Sequence, residues 1–242
     1  MSAPILFPDR YHGDNQGRND WSALAKAGVC SGAILKATEG VSFRSGARWF
    51  KENWRPLREA GGERYGGTWF RGAYHFLIFH DDPVRQADYF LKTIEDAGGF
   101  ARGDLLPIVD VELKDAEAPD HMPPSKKRAL AARVVECTTA FTARLKEVLG
   151  CGVILYGGGS LRDLAITARM GCDYLWYPHY TAHMGRIDDI GWSPERVILW
   201  QYTDGAKNVT SYPKQLPGLG PTDMSVYVGD PAEFPQELLW SP

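Results

Sequence analysis

Residues 105–115, LLPIVDVELKD, close an apolar run with two acids, Asp110 and Glu112, that stand one valine apart. Along an extended strand, residues i and i+2 face the same side with about 6.6 Å of chain between them. Both carboxyls therefore enter one space, where their repulsion leaves a protonated acid beside an ionised neighbour. Cleavage of a glycosidic bond needs that division: one group protonates the departing oxygen and the other stabilises positive charge at the sugar carbon. An isolated D-x-E is also a common solvated strand end, here with Lys114 next to it, so the pair needs support from its surroundings.

A groove for a glycan needs aromatic platforms interleaved with hydrogen-bonding groups. Tyr74, Tyr156, Trp176, Tyr180, Trp200 and Tyr202 fall in expected strands or at their ends, and Tyr74 shares its parity with Phe76. Gln201 could bond an acetamido group, but it has the opposite parity from Trp200, so one of the two must face away. Each of these rings would serve a barrel core equally well. His75 and His179 with Asp110 form a conceivable metal trio, yet no H-E-x-x-H spacing supports it. The four cysteines, Cys30, Cys137, Cys151 and Cys172, include no C-x-x-C pair and read as free buried thiols. The run GGGS at 157–160 lacks the Lys-Ser or Lys-Thr of a phosphate loop and reads as a turn leading into a helix. No metal and no cofactor is expected.

The elements that must hold these groups alternate. Short apolar runs at Pro4–Phe7, Gly32–Ala37, Gly72–Phe79, Leu105–Glu112, Val153–Tyr156, Tyr174–Tyr177, Val197–Tyr202 and Met224–Val226 read as strands. Between them, Trp21–Ala27, Gly46–Ala60, Pro83–Ala97, Ser125–Leu149 and Ser160–Met170 carry helical patterns. Asp20 is placed to cap the first helix, Gly28 to end it, and Pro124 to open the fourth. Beyond residue 171 the helical signal fades into Gly, Pro and polar clusters at 181–195 and 203–222. The pattern predicts an α/β fold, one irregular (β/α)8-like barrel over residues 1–242 with a loop-rich C-terminal part and its functional groups at the C-terminal ends of the strands. Residues 113–124, with three prolines, read as a loop on that face.

Composition excludes several classes. A net charge of -3 and a pI near 6.1 give no basic footprint for nucleic acid. No run approaches the ~20 apolar residues that cross a bilayer, so no membrane insertion is expected. The N-terminus MSAPILFPDRYHGD has neither a basic region nor a long apolar stretch, so no leader is read there. A monomer is expected.

Several ordered blocks resemble one family, the Chalaropsis-type lysozymes of glycoside hydrolase family 25. QGRNDWSALAKAG (16–28) is similar to its Q-G-x-I-D-W segment, and ILKATEG (34–40) stands for its I-K-A-T-E-G. GAYHF (72–76) and QADYF (86–90) resemble its third strand and the helix after it, and LPIVDVE (106–112) its L-P-x-x-D-x-E block. LWYPHY (175–180) and LWQYT (199–203) match two Trp-containing strands, while TDMS (222–225) stands where the family has D-x-N. Together the blocks run through roughly residues 9–230.

The resemblance implies a peptidoglycan muramidase cutting the β-1,4 bond between N-acetylmuramic acid and N-acetylglucosamine. It makes Glu112 the general acid, Asp110 the carboxylate assisting at the 2-acetamido group, and Asp223 an outer acid. The family's first-strand D-x-S falls on FPDRYHGD without its serine; Asp9 or Asp14 fills the place, Asp9 being preferred because it directly follows ILF. Tyr74 and Trp176 are the preferred glycan platforms, with Phe76, Tyr156, Tyr180, Trp200 and Gln201 as further binding candidates. The enzyme would reach the wall through holin lesions, a secretion apparatus or a signal not carried by this chain. Two other readings stay open. A hydrolase of chitin-like polymers would release reducing ends from chitin but not from peptidoglycan, and a silent wall-binding or phage-particle module would pellet with walls without clearing them.

Overall fold

A computed structural model describes residues 3–14, 19–114, 122–185, 187–207 and 209–241, with the backbone alone for Asp188. Residues 16–18 of the QGRNDW block and 115–121 of the loop after the carboxyl pair lie outside the described residues. Strands β1 (Leu6–Arg10), β2 (Gly32–Glu39), β3 (Phe70–Phe76), β4 (Ile108–Asp110), β5 (Ile154–Tyr156), β6 (Tyr174–Pro178) and β7 (Val197–Asp204) run parallel from one to the next. A small ribbon of β8 (Gln215–Leu216) and β9 (Gly220–Pro221) precedes β10 (Asp223–Tyr227), which pairs antiparallel with both β7 and β1 and closes the eight-stranded barrel. The expected α/β barrel is therefore present, with one strand reversed.

The helices pack outside. The Asp20 carboxylate accepts the Ala23 N–H at the start of α1 (Trp21–Ala27), and Gly28, at φ 66°, ends it in a left-handed turn that favours glycine. Helix α2 spans Arg44–Gly61, and α3 (Pro83–Asp96) starts on the Asp82 carboxylate, which accepts the Val84 and Arg85 amides. Helix α4 spans Pro124–Leu149. The fifth expected helix, Ser160–Met170, is cut short: α5 covers only Gly159–Asp163. Ala165 and Met170 take positive φ values of 53° and 52°, and the Ile166 N–H turns back to the Leu161 carbonyl at 2.8 Å. The apolar spacing that suggested a helix belongs to a loop whose Leu164, Ile166 and Met170 are buried.

The strands are also offset from expectation. β1 runs to Arg10, so Asp9 lies within the strand, while β4 stops at Asp110 and leaves Glu112 two residues past its end. β3 begins at Phe70 and stops at Phe76, before the predicted Phe79.

Two apolar shells hold the barrel. The inner one contains Phe7, Ile34, Ile108, Ile154 and Leu199; the outer one, between sheet and helices, contains Leu24, Phe50, Trp54, Phe90, Phe141 and Leu145. Burying each such side chain contributes roughly 1.5–3 kcal/mol. The C-terminal segment seals the N-terminal end of the barrel, with Phe234 stacked on Phe70 at 4.8 Å and Leu106 N–H donating to the Leu238 carbonyl at 2.9 Å. All four cysteines are free, and Cys30, Cys137 and Cys172 are buried. Among the described residues, no helix is long and apolar enough to cross a membrane.

Candidate active site

Each barrel strand sends one side chain toward the C-terminal mouth: Asp9 from β1, Lys36 from β2, Tyr74 from β3, Asp110 from β4, Tyr156 from β5, Trp176 from β6, Gln201 from β7 and Asp223 from β10. The ladder registers put them side by side, with Asp9 opposite Asp223, Lys36 opposite Tyr74, and Asp110, Tyr156 and Trp176 in one row. Reversal of β10 matters here, because it brings the first residue of that strand to the mouth where the parallel strands end. All of these except Lys36, together with Glu112, line a small pocket of about 70 Å³. A larger cleft of about 510 Å³, lined by Arg55, Arg58, Tyr65 and Arg71, opens at the other end, but its buried Arg71 guanidinium is already bound to Asp104 at 2.6 Å.

The pocket gathers four carboxyls. Burial first, then the charge of Asp223, holds Asp9 well above the ordinary carboxylate range; burial and Glu112 do the same to Asp110. Burial raises Glu112, with Lys36 pulling the other way, and burial next to Asp14 and Asp204 pushes Asp223 up to about 7. Such a cluster retains protons near neutral pH, because ionising every member would place like charges together in a poorly solvated space. The Lys36 ammonium, 2.7 Å from Glu39 Oε2 and 4.5 Å above the Phe76 ring, partly offsets that charge. Asp110 Oδ1 is buried and has no hydrogen-bond partner among the described residues.

Gln201 is the hub of one wall. Its Nε2 donates to Asp9 Oδ2 at 2.7 Å, and its Oε1 accepts the hydroxyls of Tyr156 at 2.8 Å and Tyr180 at 2.7 Å. Two hydroxyl donors on the oxygen fix the amide so that its nitrogen faces Asp9. Asp14, the other candidate first-strand acid, stays on the β1–α1 loop, where it accepts the Tyr11 N–H at 2.9 Å and lies 3.7 Å from Arg10.

The aromatic candidates divide. Trp176, 2% exposed, meets Tyr156 edge-on at 4.7 Å and Tyr74 at 6.5 Å, and its indole N–H donates to Ser225 Oγ at 2.8 Å. Tyr180, 39% exposed, stands at the rim, and Phe76 lies beneath Lys36 and Lys114 rather than in the pocket wall. Trp200 is the exception. It points out of the barrel into the outer shell, with its indole N–H on the His179 carbonyl at 2.7 Å, because Gln201 holds the inward parity of β7. His75 and His179 do not converge: His75 is wedged outside the sheet between Thr38 and Gln86 and stacked on Phe141, while His179 bonds Thr181. Among the described residues, no group of three or more His, Cys, Asp or Glu is placed to hold a metal ion.

Sequence reasoning missed three contributors. Lys36 was visible as the charged residue inside the apolar ILKA run, a cue to an inward polar position. Ser225, known only as a departure from an asparagine, bonds Trp176. Ser160 had no local signal, since its partner, the Leu113 N–H at 2.9 Å, lies 47 residues away.

The family model described as glycosyl hydrolases family 25 matches residues 12–210, a span that includes Asp110 and Glu112 but starts after Asp9 and stops before Asp223. A family 25 glycosyl hydrolase from Bacillus anthracis is 25% identical, with a TM-score of 0.71 over 97% of this chain and 94% of that one. The bacterial lysozyme from Streptomyces coelicolor is 24% identical with a TM-score of 0.68 over 96% of each chain. A GH25 lysozyme from Aspergillus fumigatus, 17% identical, shares the fold at a TM-score of 0.69 over 98% of this chain and 99% of that one. No curated protein matches. With most of its length matched by the family model and its eight strands closed into the same barrel, the chain belongs to glycosyl hydrolases family 25 and is a glycoside hydrolase.

Proposed function

We propose that this glycoside hydrolase is a peptidoglycan muramidase that cuts the β-1,4 bond between N-acetylmuramic acid and N-acetylglucosamine. The observation that carries the proposal is the pocket in which Asp9, Asp110, Glu112 and Asp223 meet beside Tyr74 and Trp176. Support also comes from proteins of the same fold that are lysozymes or muramidases, such as those of Streptomyces coelicolor and Acremonium alcalophilum.

Glu112, raised by burial, is the acid that protonates the glycosidic oxygen as the C–O bond breaks. Asp110 offers its unpartnered Oδ1 to the 2-acetamido N–H, turning the acetamido oxygen toward the anomeric carbon and stabilising positive charge there. Once ionised, Glu112 takes the proton of the water that completes hydrolysis. Asp9 and Asp223, both raised by burial, line the far wall as carboxyls that hold their protons more tightly than in water, and Tyr74 and Trp176 supply apolar faces to the sugars. The enzyme works as a monomer on glycan strands of the bacterial wall, not on nucleic acid.

Mass spectrometry of fragments from purified peptidoglycan tests the bond. Fragments ending in reducing N-acetylmuramic acid are expected; reducing N-acetylglucosamine ends, or hydrolysis of chitin alone, would overturn the assignment. Wall binding without any fragment release would overturn the enzymatic role.

A further inference from the structure

Glu112 lacks the usual means of aiming a carboxyl. It stands beyond the last paired residue of β4, and among the described residues none donates a hydrogen bond to its side chain. Its direction is therefore set by its backbone. Two bonds flank it: the Val111 N–H donates to the Tyr156 carbonyl at 2.9 Å, and the Leu113 N–H donates to Ser160 Oγ at 2.9 Å. The first bond extends the β4–β5 ladder by one step. The second comes from outside the sheet, from the first turn of α5.

The glycines ahead of Ser160 make its approach possible. A Cβ on Gly157 would sit 3.1 Å from the Val111 carbonyl oxygen, and one on Gly158 would sit 2.8 Å from the Tyr177 ring. Bare backbone at Gly157 lets the turn after β5 lie against the chain that carries Glu112, and bare backbone at Gly158 lets the same turn pass the Tyr177 ring of β6, with Ser160 at its end. The turn is more than a connection.

We infer that Ser160 is a positioning residue for the catalytic acid, its hydroxyl and the Gly157–Gly158 turn forming a seat that holds residues 111–113 so that Glu112 faces the scissile bond. The inference rests on the muramidase proposal for Glu112. Ser160 touches no sugar and transfers no proton. Its effect is on where the carboxyl of Glu112 lies and how deeply it is buried, since a misplacement of about 1 Å can cost on the order of 10²-fold in rate.

The test compares wild type, Ser160→Ala, Ser160→Thr and Gly157→Ala on purified peptidoglycan across pH, with carbon-13 NMR titration of the Glu112 carboxyl. Ser160→Ala should lower kcat about tenfold or more with KM within about twofold, because binding groups are untouched. The Glu112 titration and the alkaline limb of kcat should both move to lower pH as the acid escapes toward water. Ser160→Thr, which keeps the hydroxyl, should restore most of the rate. Gly157→Ala, pressing on the Val111 carbonyl from the same turn, should shift the titration even if Ser160→Ala folds poorly. An unchanged Glu112 titration in both alanine variants would overturn the inference, as would a kcat loss matched only by lower thermal stability. Failure of the muramidase proposal would show separately, as wild-type protein that releases no fragments or Glu112→Gln protein that retains full activity, while the NMR titration would still report whether Ser160 holds Glu112.

Discussion

Both ends of this barrel bury charge, and they treat it in opposite ways. At the N-terminal end, Arg71 binds Asp104 through Nε at 2.6 Å and Nη2 at 3.0 Å, donates to the carbonyls of Trp54 and Gly99, and lies 3.7 Å above the Trp54 ring. Asp104 in turn accepts the Ala101 N–H at 2.7 Å and the Tyr65 hydroxyl. At the C-terminal end, four carboxyls share a pocket, Asp110 keeps a bare oxygen, and Lys36 is itself engaged by Glu39. A buried charge with every partner in place holds structure together, whereas a cluster of like charges with lone pairs unfilled is destabilising and persists where chemistry requires it.

The contrast breaks most visibly at Glu112. Glu112→Gln should lower peptidoglycan hydrolysis by roughly 10²- to 10⁴-fold while the fold survives, because an amide of the same shape cannot supply the proton. Turbidity loss of purified walls, with circular dichroism as the control, measures it. Near-wild-type clearing by folded variant would mean that the charged pocket is not the catalytic one. In the wild type, turnover should fall as pH rises through the raised titration of Glu112.

At the opposite end the expected loss is in stability. Arg71→Met strands the Asp104 carboxylate and should cost about 3–5 kcal/mol in urea unfolding, with turnover per folded molecule nearly kept. If the variant unfolds like wild type, the distinction between the two ends fails.

A smaller change of opposite sign sharpens the comparison. Burial beside Asp14 and Asp204 pushes Asp223 up to about 7 on folding, from about 3.9 in an unfolded chain. A carboxyl raised on folding contributes stability below its unfolded value, and that contribution is lost as pH rises through the folded one. Asp223→Asn should therefore match wild type at pH 4 and exceed it at pH 8 by on the order of 1 kcal/mol, a difference readable from thermal unfolding. Equal curves at both pH values would show that the pocket tolerates its charges without cost.

The smallest effect belongs to the apolar wall. Tyr74→Ala should reduce kcat/KM severalfold and Tyr74→Phe less, since a stacked ring contributes on the order of 1 kcal/mol beyond its area. Unchanged kinetics in folded Tyr74→Ala protein would remove that wall from the site.

Much of this was legible in the chain. The alternation of strand and helix runs and the caps at Asp20 and Gly28 are local signals that the structure follows, and Asp110 and Glu112 enter one pocket although β4 ends at Asp110. Where local pattern failed, packing had intervened. The apolar spacing of 160–170 reads as a helix, but those side chains bury from a loop. Parity left Trp200 and Gln201 as alternatives, and only closure of the barrel on β7 turned the amide inward.

The sequence alone determined that a D-x-E would close an apolar run in a βα-repeating chain, because both facts depend on side-chain pattern over a few residues. Tertiary structure decided the rest of the pocket. Asp9 meets Gln201 across 192 residues, Ser160 meets Leu113 across 47, and Asp223 reaches the mouth only because β10 runs backwards between β7 and β1. Contacts of that length leave no periodic trace in the chain, and strand direction is fixed only when the barrel closes and each edge finds a partner.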